Sequence, residues 1–412
     1  MSTSIKKLLF IGLILRLVLI CTTNFHADLY NHIDWGAKLF QVGPKNFYNP
    51  NMMWAHSQPN QPILSMYLFA FVNYLKEFLM SFLWILNKIP IFPSKIIWWA
   101  QLNLHASLVK LPFVLADLGI AYLIYKIVKN KKLALLLSGL FIFNPAIIYN
   151  SAVWGQTDSM LNFIFLLSLY NLFQKKYNYS IFFLILCFLF KMSLFIYLPL
   201  MFFVFIKIKP QEYFKGLIVG IVLTLILALP FSYPQNPLSW LYWLYTNRVL
   251  SNQGNMLNGN AFNLWFLVLN RIDICYQALL SQKVISFILF GLIYILVLLK
   301  RKSNIVFSLF LIAFSAFLLL VNMHERYLYP ILPVFLILIS LYPKIFKIRD
   351  YLIISFIHLI NLYNQWWYPR FPKFIVFLEA NNSLILKLFT YILFAYFLYY
   401  QIIYLKNEKT KT

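Results

Sequence analysis

The chain is built from apolar runs of around 20 residues separated by short clusters of lysine, and that alternation limits what it can fold into. About 20 apolar residues at 1.5 Å per residue is the length a helix needs to cross the roughly 30 Å hydrocarbon core of a bilayer. Composition agrees: 62% of the 412 residues are hydrophobic and 11% are charged, where soluble domains carry about 25% charged residues. The runs are continuously apolar, whereas the strands of a membrane barrel would alternate over about ten residues. The expected fold is all-α and polytopic, one integral-membrane domain over residues 1–412.

The net charge of +24 does not indicate a nucleic-acid partner. The lysines fall between apolar runs, where basic residues set the orientation of a membrane chain. The bilayer is the partner they imply, and part of the excess suits anionic headgroups or a phosphate-bearing substrate. Cys21, Cys187 and Cys275 sit in apolar contexts, without metal or disulfide spacing. Lys6 and Lys7 before an apolar stretch resemble a signal peptide. Arg16 interrupts that stretch, however, and no small-residue cleavage site precedes Cys21, so a retained helix is expected.

Lysine placement gives a topology. Residues 5–22 run outward from the cytoplasm, and the cluster Lys126 to Lys132 is cytoplasmic again. Residues 23–104 then form one long external region, whose 62–86 segment is expected to be an interfacial helix or a non-crossing hairpin. Prolines at 59, 62, 90 and 93 and Trp84, Trp98 and Trp99 suit that boundary. Further crossings are expected at 106–128, 132–150 and 157–174. The 179–207 stretch is too short for two full crossings, so it should break into two short helices at Lys191 and Met192. Residues 213–231 lead to an external loop at about 232–280, and crossings at 284–300, 303–321, 328–343, 350–366 and 383–405 reach a Lys-rich cytoplasmic tail at 406–412. The total expected is about 11–13 transmembrane helices. Arg16 and Asp117 each lie eleven residues from the cytoplasmic end of their helix, about 16 Å deep. Mid-membrane charges are costly and pair with one another, so these two are expected to form a structural ion pair.

Four polar clusters fall on the external side. The first is the stretch from Asn24 to Leu39, which holds two of the eleven carboxylates; in a helix, Asp28, His32 and Trp35 share one face, with Asp34 beside Trp35. The second is Asn150 to Ser159, with Trp154, Gln156 and Asp158. The third is Asn258 to Trp265, with Asn260 and Asn263. The fourth is His324 to Pro330, with Glu325, Arg326 and Tyr327. Each alone can be a cap, a turn or an aromatic belt. Together, over an apolar bundle, they look like a site. No Ser-His-Asp arrangement, HExxH, Walker loop or dinucleotide fingerprint occurs. Carboxylates with aromatics suit a sugar, and cations suit a phosphate. Transfer from a lipid-linked sugar phosphate needs one base and charge neutralisation of the leaving phosphate. It requires no metal cofactor and is compatible with a carboxylate-bound divalent ion. A transporter or lipid flippase using the cluster as a gate is the alternative, and it predicts polar residues continuing to the inner side.

These residues give the sequence a resemblance to GT-C-type integral-membrane glycosyltransferases, and in particular to bacterial mannosyltransferases related to the GPI mannosyltransferase II family. The motifs that carry it are Asp28-x6-Trp35-Gly36, the Gln-Pro-Ile-Leu-Ser-Met-Tyr run from Gln61, and Lys110-Leu-Pro-Phe-Val-Leu-Ala-Asp117. Asn144-Pro-Ala, Trp154-Gly-Gln-Thr-Asp-Ser159, Phe190-Lys191, Asn260-Ala-Phe-Asn-Leu-Trp265 and His324-Glu-Arg-Tyr-Leu-Tyr-Pro330 follow in order. The family often has a proline after the Phe-Lys pair, where this chain has Met192.

The resemblance implies a GT-C-like bundle, a polyprenyl-phosphate sugar donor, a glycan or glycolipid acceptor and an inverting transfer of a hexose, mannose by family habit. It implies that Asp28 is the catalytic base, seven residues before the tryptophan, with Asp34 as the competing choice. Arg326, Lys191 and His324 are then expected to hold the donor phosphate. Sugar or acceptor binding falls to Asp34, Trp35, Trp154, Gln156, Asp158, Glu325, Tyr327, Asn260 and Asn263. The expected home is a bacterial inner membrane with the site on the extracytoplasmic face, or alternatively the ER membrane.

Overall fold

A computed structural model describes residues 3–23, 26–49, 51–250, 256–269, 277–300, 305–380 and 382–406. Among the described residues the architecture is helical, and β-pairing is confined to isolated bridges such as Gly259 with His324. Five helices are long and apolar enough to cross a bilayer: Ile63–Leu86, Lys95–Ile127, Phe214–Ser232, Leu280–Leu299 and Leu384–Lys406. The number rises to seven if each of two bent helix pairs counts as a single span. The full-length crossings expected from the other apolar runs are therefore not all met by long helices, since Asp158–Phe173 and Ile305–Leu319 are shorter. Tyr177–Phe190 and Met192–Phe205, also short, are the two helices expected within 179–207. The Lys-rich tail beyond Lys406 lies outside the described residues.

Two expectations about the first external region change. Residues 63–86 are one unbroken 24-residue helix, about 36 Å long, so the hairpin is excluded. The helix is long enough to span, yet it carries the ion pair Lys76–Glu77 (2.8 Å) at its middle, with half of the Glu77 side chain exposed. A lipid-facing charge pair at mid-depth is expensive, whereas the headgroup plane solvates it. An exposed pair at mid-helix suits an interfacial position, while length and composition alone allow crossing. Residues 95–104 are not loop either; they open the 33-residue helix Lys95–Ile127. That helix contains an internal proline, Pro112, which membrane helices tolerate where neighbouring groups satisfy the freed backbone carbonyl.

The chain divides into two compact units. One comprises Met1–Leu123, Asn150–Leu194 and Ile208–Asn252; the other comprises Ile124–Tyr149, Phe195–Lys207 and Gln253–Thr412. In the first unit, Thr3–Thr22 buries Ile5, Gly12, Arg16 and Ile20 and leaves Phe10, Ile11, Ile14 and Val18 exposed. Phe214–Ser232 differs in burying mainly small residues, Gly216, Gly220, Ala228 and Ser232 with Phe231, while Ile218, Val222, Ile226 and Leu229 face outward. Small residues inside and large apolar ones outside are the pattern of a helix that packs against protein on one face and lipid on the other.

The contact at Gly216 is close. A Cβ there would stand 2.0 Å from the backbone oxygen of Asn178, and one at Gly220 would meet Ile185 Cδ1 at 2.5 Å. Asn178 Oδ1 also accepts from the Gly216 backbone N–H at 2.8 Å. Because the obstacle at Gly216 is backbone, Gly216→Ala should separate the helix from Tyr177–Phe190 and cost about 2 kcal/mol or more. Thermal unfolding in detergent checks this, and an unchanged midpoint would show that the contact is not tight.

In the second unit, Ile305–Leu319 is a central helix, buried on every side from Val306 to Leu319. Its Phe307 and Phe310 pack edge-on against Phe346, which stacks on Tyr400 at 4.5 Å. Asn144, of the Asn-Pro-Ala motif, ties this unit together. It donates to Tyr351 Oη at 2.6 Å, accepts from Ser355 Oγ at 2.8 Å and caps the next turn through Ala146 N–H at 2.9 Å.

Candidate functional site

In the first unit the Ala27–Val42 helix opens with His26 as its N-cap, and the imidazole Nδ1 accepts from the Asp28 backbone N–H at 3.0 Å. That bond uses the Nδ1 lone pair, so a neutral His26 carries its proton on Nε2. Asp28 Oδ2 lies 3.6 Å from the same nitrogen, which is too long for a hydrogen bond. Asp28 stands in the first turn, where the helix dipole favours a carboxylate, and its side chain is one-third exposed. Its firm partner is the Gln156 side chain, whose Nε2 donates to Asp28 Oδ2 at 2.5 Å. The His26 ring tilts against Trp154 at 4.5 Å. The Asp28 stretch and the Trp-Gly-Gln-Thr-Asp-Ser stretch, separated by more than 120 residues, therefore meet.

The turn carrying Gln156 is built by an irregular backbone. Residues Tyr149–Trp154 are a π-helical turn and Gly155 has φ +83°, a conformation other residues adopt only under strain. A Cβ at Gly155 would also meet Leu29 Cδ1 at 2.9 Å and Lys110 Cγ at 3.0 Å. Lys110 is fully buried beneath it and donates to Thr23 Oγ1 at 2.9 Å. Asp158 then starts the next helix and binds Lys191. The ammonium donates to Asp158 Oδ1 at 2.8 Å and to Thr157 Oγ1 at 3.1 Å, and both members of the pair are almost fully buried. Lys191 has extended backbone, with Tyr177–Phe190 ending before it and a 3₁₀ turn starting at Met192. Gln156 and Asp158 are two residues apart, so one short turn holds both the Asp28 carboxylate and the Lys191 ammonium.

Deeper in the same unit Arg16 Nε donates to Asp117 Oδ2 at 3.0 Å with both side chains fully buried. Ser151 Oγ donates to the same carboxylate oxygen at 2.5 Å. Asp34 and Trp35 are placed differently from Asp28. Asp34 Oδ2 accepts from Lys38 Nζ at 3.1 Å and from the Ala55 N–H at 3.0 Å. Trp35 is buried and donates its indole N–H to the Ser57 carbonyl at 2.8 Å. Both residues fasten the 51–62 segment to the helix, an intramolecular use of groups that the sequence assigned to sugar contact.

The second unit holds the other two clusters, and they meet each other. Gly259 N–H donates to the Met323 carbonyl at 2.8 Å, and a Cβ at Gly259 would lie 2.6 Å from His324 Nδ1. Asn260 has φ +67°. Its carbonyl accepts from Asn361 Nδ2 at 2.6 Å, and its Oδ1 from Asn364 Nδ2 at 3.2 Å. Asn263 caps the following helix through the Trp265 and Phe266 N–H groups. Glu325 is buried and accepts from Arg326 at 2.8 Å, while the His324 ring stands edge-on to Tyr327 at 5.2 Å.

His26, Asn361 and Asn364 are polar residues here to which the sequence assigns no role, and Lys110 enters only as part of the Lys110–Asp117 motif. His26 is not among the residues favoured at an N-cap, so its capping leaves no sequence signal. Among the described residues no group of three or more His, Cys, Asp or Glu side chains gathers where a metal ion could be held. No protein-family model matches the chain, and no curated protein matches it significantly.

Proposed function

We propose that the chain is a membrane glycosyltransferase that moves a hexose from a polyprenyl-phosphate donor to a glycan or glycolipid acceptor. One observation carries this reading: the partly exposed Asp28 carboxylate is held by Gln156, on the same turn whose Asp158 holds Lys191. Asp28 acts as the general base. It takes the acceptor hydroxyl proton as that oxygen attacks the anomeric carbon, and the bond from that carbon to the phosphate oxygen breaks with inversion. The leaving polyprenyl phosphate is stable as an anion, so no general acid is needed. Lys191, oriented by Asp158 and Thr157, supplies positive charge for the phosphate, and such preorganised charge is worth more in a desolvated site. Asp34 is the weaker base candidate because its Oδ2 is ion-paired with Lys38 and also fastens the Ala55 amide, whereas Asp28 is held by a neutral amide. The family resemblance adds mannose as the sugar, and lysine placement adds the extracytoplasmic face.

The test is a panel of polyprenyl-phosphate mannose, glucose, galactose and N-acetylhexosamine offered to the purified protein in lipid nanodiscs. One donor should be consumed, with release of polyprenyl phosphate faster than in protein-free discs. No turnover of any donor, with a membrane glycolipid extract as the acceptor source, would count against the transferase reading.

A further inference from the structure

The first unit also contains a cavity of about 500 Å³, bounded by Lys45 to Asn49, by Phe231 to Gln235, and by Trp240 and Trp243. That volume lies within the roughly 300–1,000 Å³ usual for small-molecule sites. At its centre Tyr48 stands edge-on to Trp240 (5.6 Å) and Trp243 (6.4 Å), while Phe231 stacks on Trp240 at 5.7 Å. Tyr48 is only 8% exposed, and its buried hydroxyl has no hydrogen-bond partner among the described residues. Leaving a buried hydroxyl unpaired costs free energy that a ligand can recover. Burial pushes the phenol above its ordinary range, so it remains a neutral donor at physiological pH.

An interfacial aromatic belt would also place tryptophan and tyrosine here. Belt residues face lipid, however, and on the helix Pro237–Leu244 the outward residues are Leu238 and Tyr242, whereas Trp240 is buried. The lining sorts the ligand classes. Among the described residues no carboxylate borders the cavity, and Lys45 Nζ already sits 5.3 Å over the Tyr233 ring, which opposes a quaternary ammonium. Two cations stand near, and both are engaged with rings: Lys45, and Arg248 at 5.6 Å over the Trp243 ring; phosphate sites gather several free cations or backbone N–H groups. Ring faces for C–H groups, together with the carboxamides of Asn46, Asn49 and Gln235, suit a neutral polyhydroxylated ring.

We propose that this cavity is a saccharide-binding subsite that takes a pyranose unit of the acceptor glycan. The acceptor role rests on the glycosyl-transfer reading; saccharide binding does not. The test is tryptophan fluorescence titration of the full-length protein in a zwitterionic, sugar-free detergent, with methyl hexosides and N-acetylhexosamines to tens of millimolar and with glycerol phosphate as the headgroup control. Saturable binding of at least one saccharide is expected. Tyr48→Phe, which removes a hydroxyl with no protein partner and should fold normally, should weaken it roughly 3- to 10-fold. Trp243→Ala should weaken it at least about 10-fold. Asp28→Asn should leave it intact, so saccharide binding without any transfer would retire the enzyme and keep the subsite. The subsite is refuted if no saccharide saturates, if Tyr48→Phe and Trp243→Ala both bind like wild type, or if only glycerol phosphate binds and Lys45→Gln abolishes that binding.

Discussion

Asp28→Asn should lower transfer from the polyprenyl-phosphate donor by at least about 10²–10⁴-fold, the range that a positioned general base contributes, while the protein folds as before. The structural part of this expectation comes from Gln156. Its amide donates to Asp28 at 2.5 Å, and an asparagine oxygen can accept the same bond. The helix start also survives, because the His26 cap bonds to the backbone N–H of residue 28 rather than to its side chain. What the substitution removes is the capacity to take a proton. The measurement is single-turnover transfer beside donor binding and a thermal midpoint on the same preparation. Near wild-type turnover would remove Asp28 from the role of base and return attention to Asp34. A collapse of the midpoint together with activity would make Asp28 a structural residue.

Asp117→Asn should have the largest effect on stability. It leaves the Arg16 guanidinium fully buried without its counter-charge, and breaking one side of a buried pair costs about 3–5 kcal/mol. Ser151 loses a charged acceptor at the same time. The folded, monodisperse fraction in detergent should fall sharply. The double substitution Arg16→Met with Asp117→Leu should recover much of it, since replacing both charges with apolar side chains of similar volume is often neutral. If Asp117→Asn folds in full yield with an unchanged midpoint, the pair is not what holds these helices together. If the double variant is worse than the single, the two residues have a role beyond charge compensation.

The two sites bear on each other through the chain. Ser151 binds Asp117 at one end of the Tyr149–Trp154 turn, while Gln156, just beyond its other end, binds Asp28. A lesion at the ion pair should therefore be read for activity only after stability is restored. The double variant provides that control.

The helical class, the break at Lys191 and the partnership of Arg16 with Asp117 could all be read from the sequence, for related reasons. Apolar run length against bilayer thickness fixes how many residues a segment can use, and the cost of an unpaired charge at depth leaves Asp117 few partners. Those are local or one-dimensional constraints, which need no knowledge of which helix packs on which.

The tertiary structure alone decided the rest. Lysine counting gives 62–86 as a non-crossing segment but leaves helix and hairpin open; the structure has one continuous helix with the Lys76–Glu77 pair exposed at its middle. Spacing to Trp35 ranks Asp28 above Asp34 without showing what either carboxylate meets; packing turns one towards Gln156 and the other towards the Ala55 amide. Gly216 and Gly259 matter through a neighbour's backbone and a histidine ring more than 30 residues away. Periodicity assigns a residue to a face of its own helix; what that face meets is settled by long-range packing, where the partners of Asp28, Tyr48 and Asn260 are chosen.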